Sequence, residues 1–110
     1  MDWQTAEEMV LRVIQKYFPG ARRTVRSGGK WNDGDLERIP GMHVDVKDGQ
    51  RSLSLTVTRT DLNKTISQAT KRGKEWIVVS RTKDGKLIAS CDAELLFCLL
   101  EIAPKGYFSA

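Results

Sequence analysis

The stretch Met42-His43-Val44-Asp45-Val46-Lys47 alternates apolar and polar residues with a period of two. Successive side chains of an extended strand point to opposite faces. Met42, Val44 and Val46 therefore share one face and point into a core, while His43, Asp45 and Lys47 share the other. Charged groups on one face of an otherwise buried strand are costly unless a ligand or partner compensates them. A metal ion on the carboxylate and a phosphate beside the lysine are compensation of that kind. Upstream, Gly34-Asp35 supplies a second carboxylate. Alone, Asp-x-Lys is also the pattern of an ordinary solvated strand face, so its meaning depends on its surroundings.

Working outward, residues 5–18 read as an amphipathic helix. Thr5 is its N-cap with Glu8 as capping-box partner, and Ala6, Met9, Val10, Val13, Ile14 and Tyr17 form one apolar stripe. Pro19-Gly20 stops it. Residues 21–26 read as a short basic strand, and Ser27 to Gly34 as a Gly-rich loop carrying Lys30 and Trp31. A brief strand over 35–39 leads through Pro40-Gly41 into the strand 42–48. Asp48-Gly49 signals a hairpin, with 52–58 pairing back. Thr60 caps a helix over 61–72 with Leu62, Ile66 and Ala69 inward, closed by Gly73. The apolar run 75–81 is a buried strand, which makes the preceding helix a crossover. Asp84-Gly85 turns the chain into the strand 86–91. Asp92 caps a leucine-rich helix over 93–102, ended by Pro104. The order is α-β-β-β(β)-α-β-β-α, an α/β fold with a mixed central β-sheet flanked by helices.

A chain of 110 residues reads as a single domain over 1–110, its core at about 5–102 and a short tail at 103–110. The 40% hydrophobic content is too evenly interrupted for a membrane span. The acidic, polar first residues do not resemble a signal peptide. Cys91 and Cys98 lack metal-ligand spacing, and the chain has one histidine. That argues against structural zinc and for reduced core cysteines in a cytoplasmic protein. A formal net charge of +4 favours a polyanionic partner.

Phosphodiester hydrolysis needs a metal held by carboxylates, an activated water and charge relief on the phosphate. Asp35 and Asp45 can supply two oxygens and the Val46 carbonyl a third. Lys47 can orient the water or neutralise developing charge. On these residues, Asp35…Asp45-Val46-Lys47 resembles the PD-(D/E)xK nuclease motif of the restriction-endonuclease-like fold. Over about residues 5–100 the chain resembles small Holliday-junction resolvases and related phage-type endonucleases. Their pattern is a helix bearing a glutamate, a strand, a Ser-Gly loop, the first Asp, a hairpin with (D/E)xK, and a helix with a polar residue. Here Glu7, Ser27-Gly28, Asp35, Asp45-Val46-Lys47 and Gln68-Ala69 stand in that order.

The resemblance implies a restriction-endonuclease-like core and an endonuclease acting on branched DNA. Mg²⁺, with Mn²⁺ as substitute, would be held by Glu7, Asp35, Asp45 and Val46, and Lys47 and Gln68 would join the catalytic group. Helical phase places Glu7 at the edge of the apolar stripe and Glu8 toward solvent. Gln68 reads either as a residue near metal and phosphate or as a surface glutamine. His43 reads either as a phosphate contact or as a bystander of the strand. The chain departs from the pattern with Gly34 where proline is frequent and with Asp45, one methylene shorter than the frequent Glu.

Arg22, Arg23, Arg26, Ser27, Lys30 and Trp31 form a candidate DNA-binding group around the Asp35 loop, and Lys64, Lys71, Arg72 and Lys74 a second on and just after the helix. Each basic group has a plainer reading as a solvated face. Cutting two strands symmetrically needs two centres and hence a homodimer. The leucines of 95–102 and Tyr107-Phe108 are candidate dimer surfaces, although the leucines read more simply as core cover. Nucleases of the same fold acting on nicked, restriction or repair substrates, and a DNA-binding module without catalysis, are the alternatives.

Overall fold

The computed structural model describes residues 5–25, 34–49 and 59–103. In chain order the described elements are α1 (Ala6–Gln15), β1 (Arg22–Arg23), β2 (Leu36–Glu37), β3 (Met42–Gly49), α2 (Arg59–Lys71), β4 (Glu75–Thr82), β5 (Leu87–Cys91) and α3 (Ala93–Ile102). The strands form one five-stranded mixed sheet in the order β1-β2-β3-β4-β5. β3 and β4 run parallel, from Met42↔Glu75 to Gly49↔Thr82, and the other neighbours are antiparallel. The fold is α/β, as expected. No helix among the described residues is long and apolar enough to cross a membrane.

The period-two reading of β3 decides how the sheet is covered. Val10, Ala21, Leu36, Ile39 and Val44 form a buried cluster on the α1 face, with Leu11, Ile14, Met42, Val46, Ile77, Val79 and Leu87 packed against it. Thr5 caps α1, its hydroxyl accepting the Glu8 N–H at 3.1 Å. α1 stops at Gln15 rather than 18. The chain tightens there through Lys16 N–H to Val13 O and Tyr17 N–H to Ile14 O, and Pro19 disfavours a helical Phe18. Val13 and Tyr17, expected in the apolar stripe, are exposed.

Other boundaries shift for local reasons. β1 and β2 are shorter than the expected 21–26 and 35–39. Arg38 takes a positive φ, which ends β2. Asp48-Gly49 is no turn but the end of β3. Pairing with β4 continues there, and the Arg81 guanidinium holds Asp48 at 2.7 Å. The expected returning strand 52–58 lies outside the described residues. Thr60 sits inside α2 rather than capping it. The buried residues of α2 are Thr65 and Ala69, whereas Ile66, expected inward, is exposed. Gly73, at φ 64, closes α2 as expected. Asp92 caps α3, accepting the Glu94 N–H at 2.8 Å. No residue of α3 is buried, which corrects the reading of its leucines as core cover. Cys98, on α3, is exposed and Cys91 half-buried. Both are free thiols, so Cys98 is not a core residue.

Candidate functional site

The polar face of β3 is covered by α2 and grades from buried to open. The side chain of His43 is fully buried, that of Asp45 is 14% exposed and that of Lys47 45% exposed. Asp45, Lys47, Asp35, Asp61, Lys64, Thr65 and Gln68 line a pocket of about 180 Å³ between sheet and helix. β3, the segment that enters β2 and α2 meet in it, and the two aspartates and the lysine of the motif lie together.

Asp35 reaches the pocket because the backbone before it lies against β3. Its N–H donates to Val44 O at 2.8 Å, and its Oδ2 accepts the Val46 N–H at 2.7 Å. Gly34 makes this approach possible. It has φ 86, and a Cβ there would stand 2.6 Å from Val44 O, so no other residue fits without displacement. The N–H and C=O of one strand residue leave by the same edge. The Val46 carbonyl therefore emerges on the edge where the Asp35 carboxylate sits.

Asp45 is held from two sides. Thr65 Oγ1 donates to its Oδ2 at 2.6 Å, and His43 Nε2 stands 3.4 Å from the same oxygen, a long approach for a hydrogen bond. Burial pushes the Asp45 carboxyl up. The neighbouring His43 and Thr65 side chains and the Lys47 charge outweigh it and hold the carboxyl below its ordinary value. Lys47 Nζ lies 3.5 Å from Asp61 Oδ1, an exposed pair. Gln68 Oε1 is buried in this wall with no hydrogen-bond partner among the described residues. Ser80, the register partner of Lys47 on β4, has its Oγ in the same condition.

Glu7 is placed differently. Its carboxylate accepts from the Arg23 guanidinium at 2.7 Å, and with Arg23, Thr24, Val25 and Asp35 it lines a neighbouring pocket of about 520 Å³. Asp35 is common to both pockets. Glu7 therefore adjoins the Asp35 side of the site and does not line the pocket of Asp45 and Lys47. Among the described residues no three His, Cys, Asp or Glu side chains gather into a metal-holding group.

His43 as a DNA contact is corrected, since a fully buried side chain presents nothing to a phosphate. Arg22 is engaged by Glu37 at 3.0 Å and Arg23 by Glu7. Lys71, the last residue of α2, is exposed, and Arg72 just after it is half-buried. Arg26, Ser27, Lys30 and Trp31 lie outside the described residues. Lys64 was expected as a phosphate contact, whereas Asp61 and Thr65 were not among the expected site residues. The signal for them was present: Asp61, Lys64, Thr65 and Gln68 stand at i, i+3, i+4 and i+7, a polar stripe on one helix face.

Comparison of the chain with protein-family models, with curated proteins and with solved structures finds no match.

Proposed function

We propose that the chain is a Mg²⁺-dependent endonuclease of the PD-(D/E)xK type with a restriction-endonuclease-like core, hydrolysing phosphodiester bonds in branched DNA as Holliday-junction resolvases do. The observation that carries this reading is the pocket shared by Asp35, Asp45 and Lys47, with the Asp35 carboxylate bonded to the Val46 N–H within the same motif.

The donor set fits a magnesium ion in a restricted sense. Mg²⁺ takes one or two carboxylates and keeps several waters. Asp35, Asp45 and the Val46 carbonyl are hard oxygen donors of that number and kind. Glu7 would act from the adjoining pocket, on the far side of Asp35. Bound there, the ion would lower the pKa of a water and polarise the phosphate. The protein's own groups have separable tasks. Thr65 orients the Asp45 carboxylate, with His43 packed beside it, and Gly34 lets Asp35 approach. Lys47, at the open end of β3, meets the negative charge that builds on the phosphate in the transition state. Gln68 offers an oxygen in the pocket wall.

The net charge of +4 supports an anionic substrate. Lys64 in the pocket wall and Lys71 nearby on α2 supply sequence-independent phosphate contacts. The hold of Arg23 on Glu7 favours a second reading, a DNA-binding module of the same fold without cleavage. Incubating the purified chain and Mg²⁺ with four-way junction, flap, nicked and linear DNA separates the readings. The resolvase reading expects the junction to be cut in preference. Equal cutting of linear duplex would move it to another nuclease of this type, and binding without cutting would leave the module.

A further inference from the structure

The pocket of about 520 Å³ on the far side of Asp35 has no task in the reaction proposed above beyond housing Glu7. Across it runs the ion pair between Glu7 on α1 and Arg23 on β1, at 2.7 Å. The pair is short but open to water. The Arg23 side chain is 52% exposed and that of Glu7 26%, so solvent and salt compete for both. The neighbouring Arg22 is held differently. It faces its register partner Glu37, whose carboxylate also accepts the Val25 N–H. Next to Arg23, Thr24 lines the same pocket, and its Oγ1 is buried with no hydrogen-bond partner among the described residues.

A guanidinium and a hydroxyl in one pocket are donors suited to a phosphate. The Glu7 carboxylate occupies the place that a phosphate would take, because both anions accept the same fork of N–H donors. An exposed ion pair shifts an equilibrium by at most about fivefold, so a phosphate displaces the carboxylate with little opposition. The carboxylate set loose stays in the pocket that it shares with Asp35.

We propose that this pocket takes a backbone phosphate flanking the scissile one, on Arg23 and Thr24, and that the exchange releases Glu7 toward the metal site at Asp35. The inference rests on the nuclease reading and deepens it. In the free protein Glu7 is engaged by Arg23, and it joins the oxygen donors only when DNA is bound. Its place outside the pocket of Asp45 and Lys47 agrees with this. DNA and metal ion then favour each other through one ion pair, by the same factor in both directions.

The test is a pair of double-mutant cycles on the full chain, with Arg23→Gln, Glu7→Gln and the two combined. Both side chains are partly exposed, so circular dichroism should show all three variants folded. Mn²⁺ is titrated calorimetrically without DNA. Arg23→Gln should tighten it by about two- to fivefold, and that gain should vanish in the Glu7→Gln background, where a mere change of charge would persist. A four-way junction is titrated without metal, read by fluorescence anisotropy. Glu7→Gln should tighten it to a similar extent and lose the gain in the Arg23→Gln background. Thr24→Val should weaken the junction complex and Thr24→Ser should not. Gains that are absent, or that persist in the second background, would overturn the proposal while leaving Mn²⁺ binding and the nuclease reading in place. So would a Thr24→Val variant that binds the junction as wild type does. No Mn²⁺ bound by any of the four proteins would remove the metal centre and this proposal together.

Discussion

Thr65 on α2 donates a 2.6 Å hydrogen bond to Oδ2 of Asp45 on β3. It ties the helix to the motif strand, alongside the longer Lys47–Asp61 pair. Thr65 is 2% exposed, so its hydroxyl has no water to fall back on. Thr65→Val keeps the shape and removes the donor. A hydrogen bond to a charged group is worth about 1.5–3 kcal/mol. We expect a loss of that size in denaturant unfolding, with Mn²⁺ binding also weakened. Thr65→Ser should retain both. Equal stability and metal affinity in Thr65→Val would show that the bond does not set the carboxylate.

Gly34 should tolerate no side chain. Gly34→Ala combines a positive φ with a Cβ 2.6 Å from Val44 O. A loss of more than about 1 kcal/mol is expected. Asp35 should move away from Val46 with it, lowering cleavage further than stability. Urea unfolding and the cleavage rate, measured on one preparation, separate the two effects.

The α1 face of the sheet should be the sensitive one. Leu36 is fully buried against Val44, and Leu36→Ala should cost about 2–5 kcal/mol in thermal or denaturant unfolding. Leu99→Ala on α3 should cost far less, since Leu99 is 45% exposed. Comparable losses at the two positions would mean that α3 is packed within its own chain.

Glu37 gives the fold an acid-sensitive contact. The Arg22 guanidinium holds its carboxyl below the ordinary value against a push from burial, helped by the Val25 N–H. A depressed carboxyl contributes stability above its unfolded pKa, and loses it as the pH falls through the folded value. Glu37→Gln should therefore be less stable than wild type at pH 7. The gap should close as the pH is taken below the ordinary glutamate value of 4.5. A gap independent of pH across that range would exclude an ionic origin.

Much of the fold was legible because its strands obey simple periods. The alternation in β3 separated Val44 and Val46 from His43, Asp45 and Lys47, and the apolar run of β4 marked its parallel neighbour. Period alone could not tell an open polar face from one roofed by a helix. His43 accordingly read as reachable, yet α2 buries it. The same ambiguity hid Asp61 and Thr65, since a polar stripe usually faces water and this one faces the sheet. Glu7 sat at the right helical phase, but phase gives no account of Arg23, sixteen residues away, which engages it. The leucines of α3 announced a need for cover without naming what supplies it.

The central claim is that Asp35, Asp45 and Lys47 form a centre for metal-dependent phosphodiester cleavage. Lys47→Ala tests it most directly, because Lys47 is 45% exposed and its loss should leave the fold intact. The measurement is the initial rate of four-way-junction cleavage with Mg²⁺ by wild type and by Lys47→Ala, each repeated with excess chelator. The account predicts cleavage by wild type that chelator abolishes, and a rate lower by about 100-fold or more in the variant. Equal rates for the two proteins, or no cleavage of any branched DNA by wild type, would contradict it.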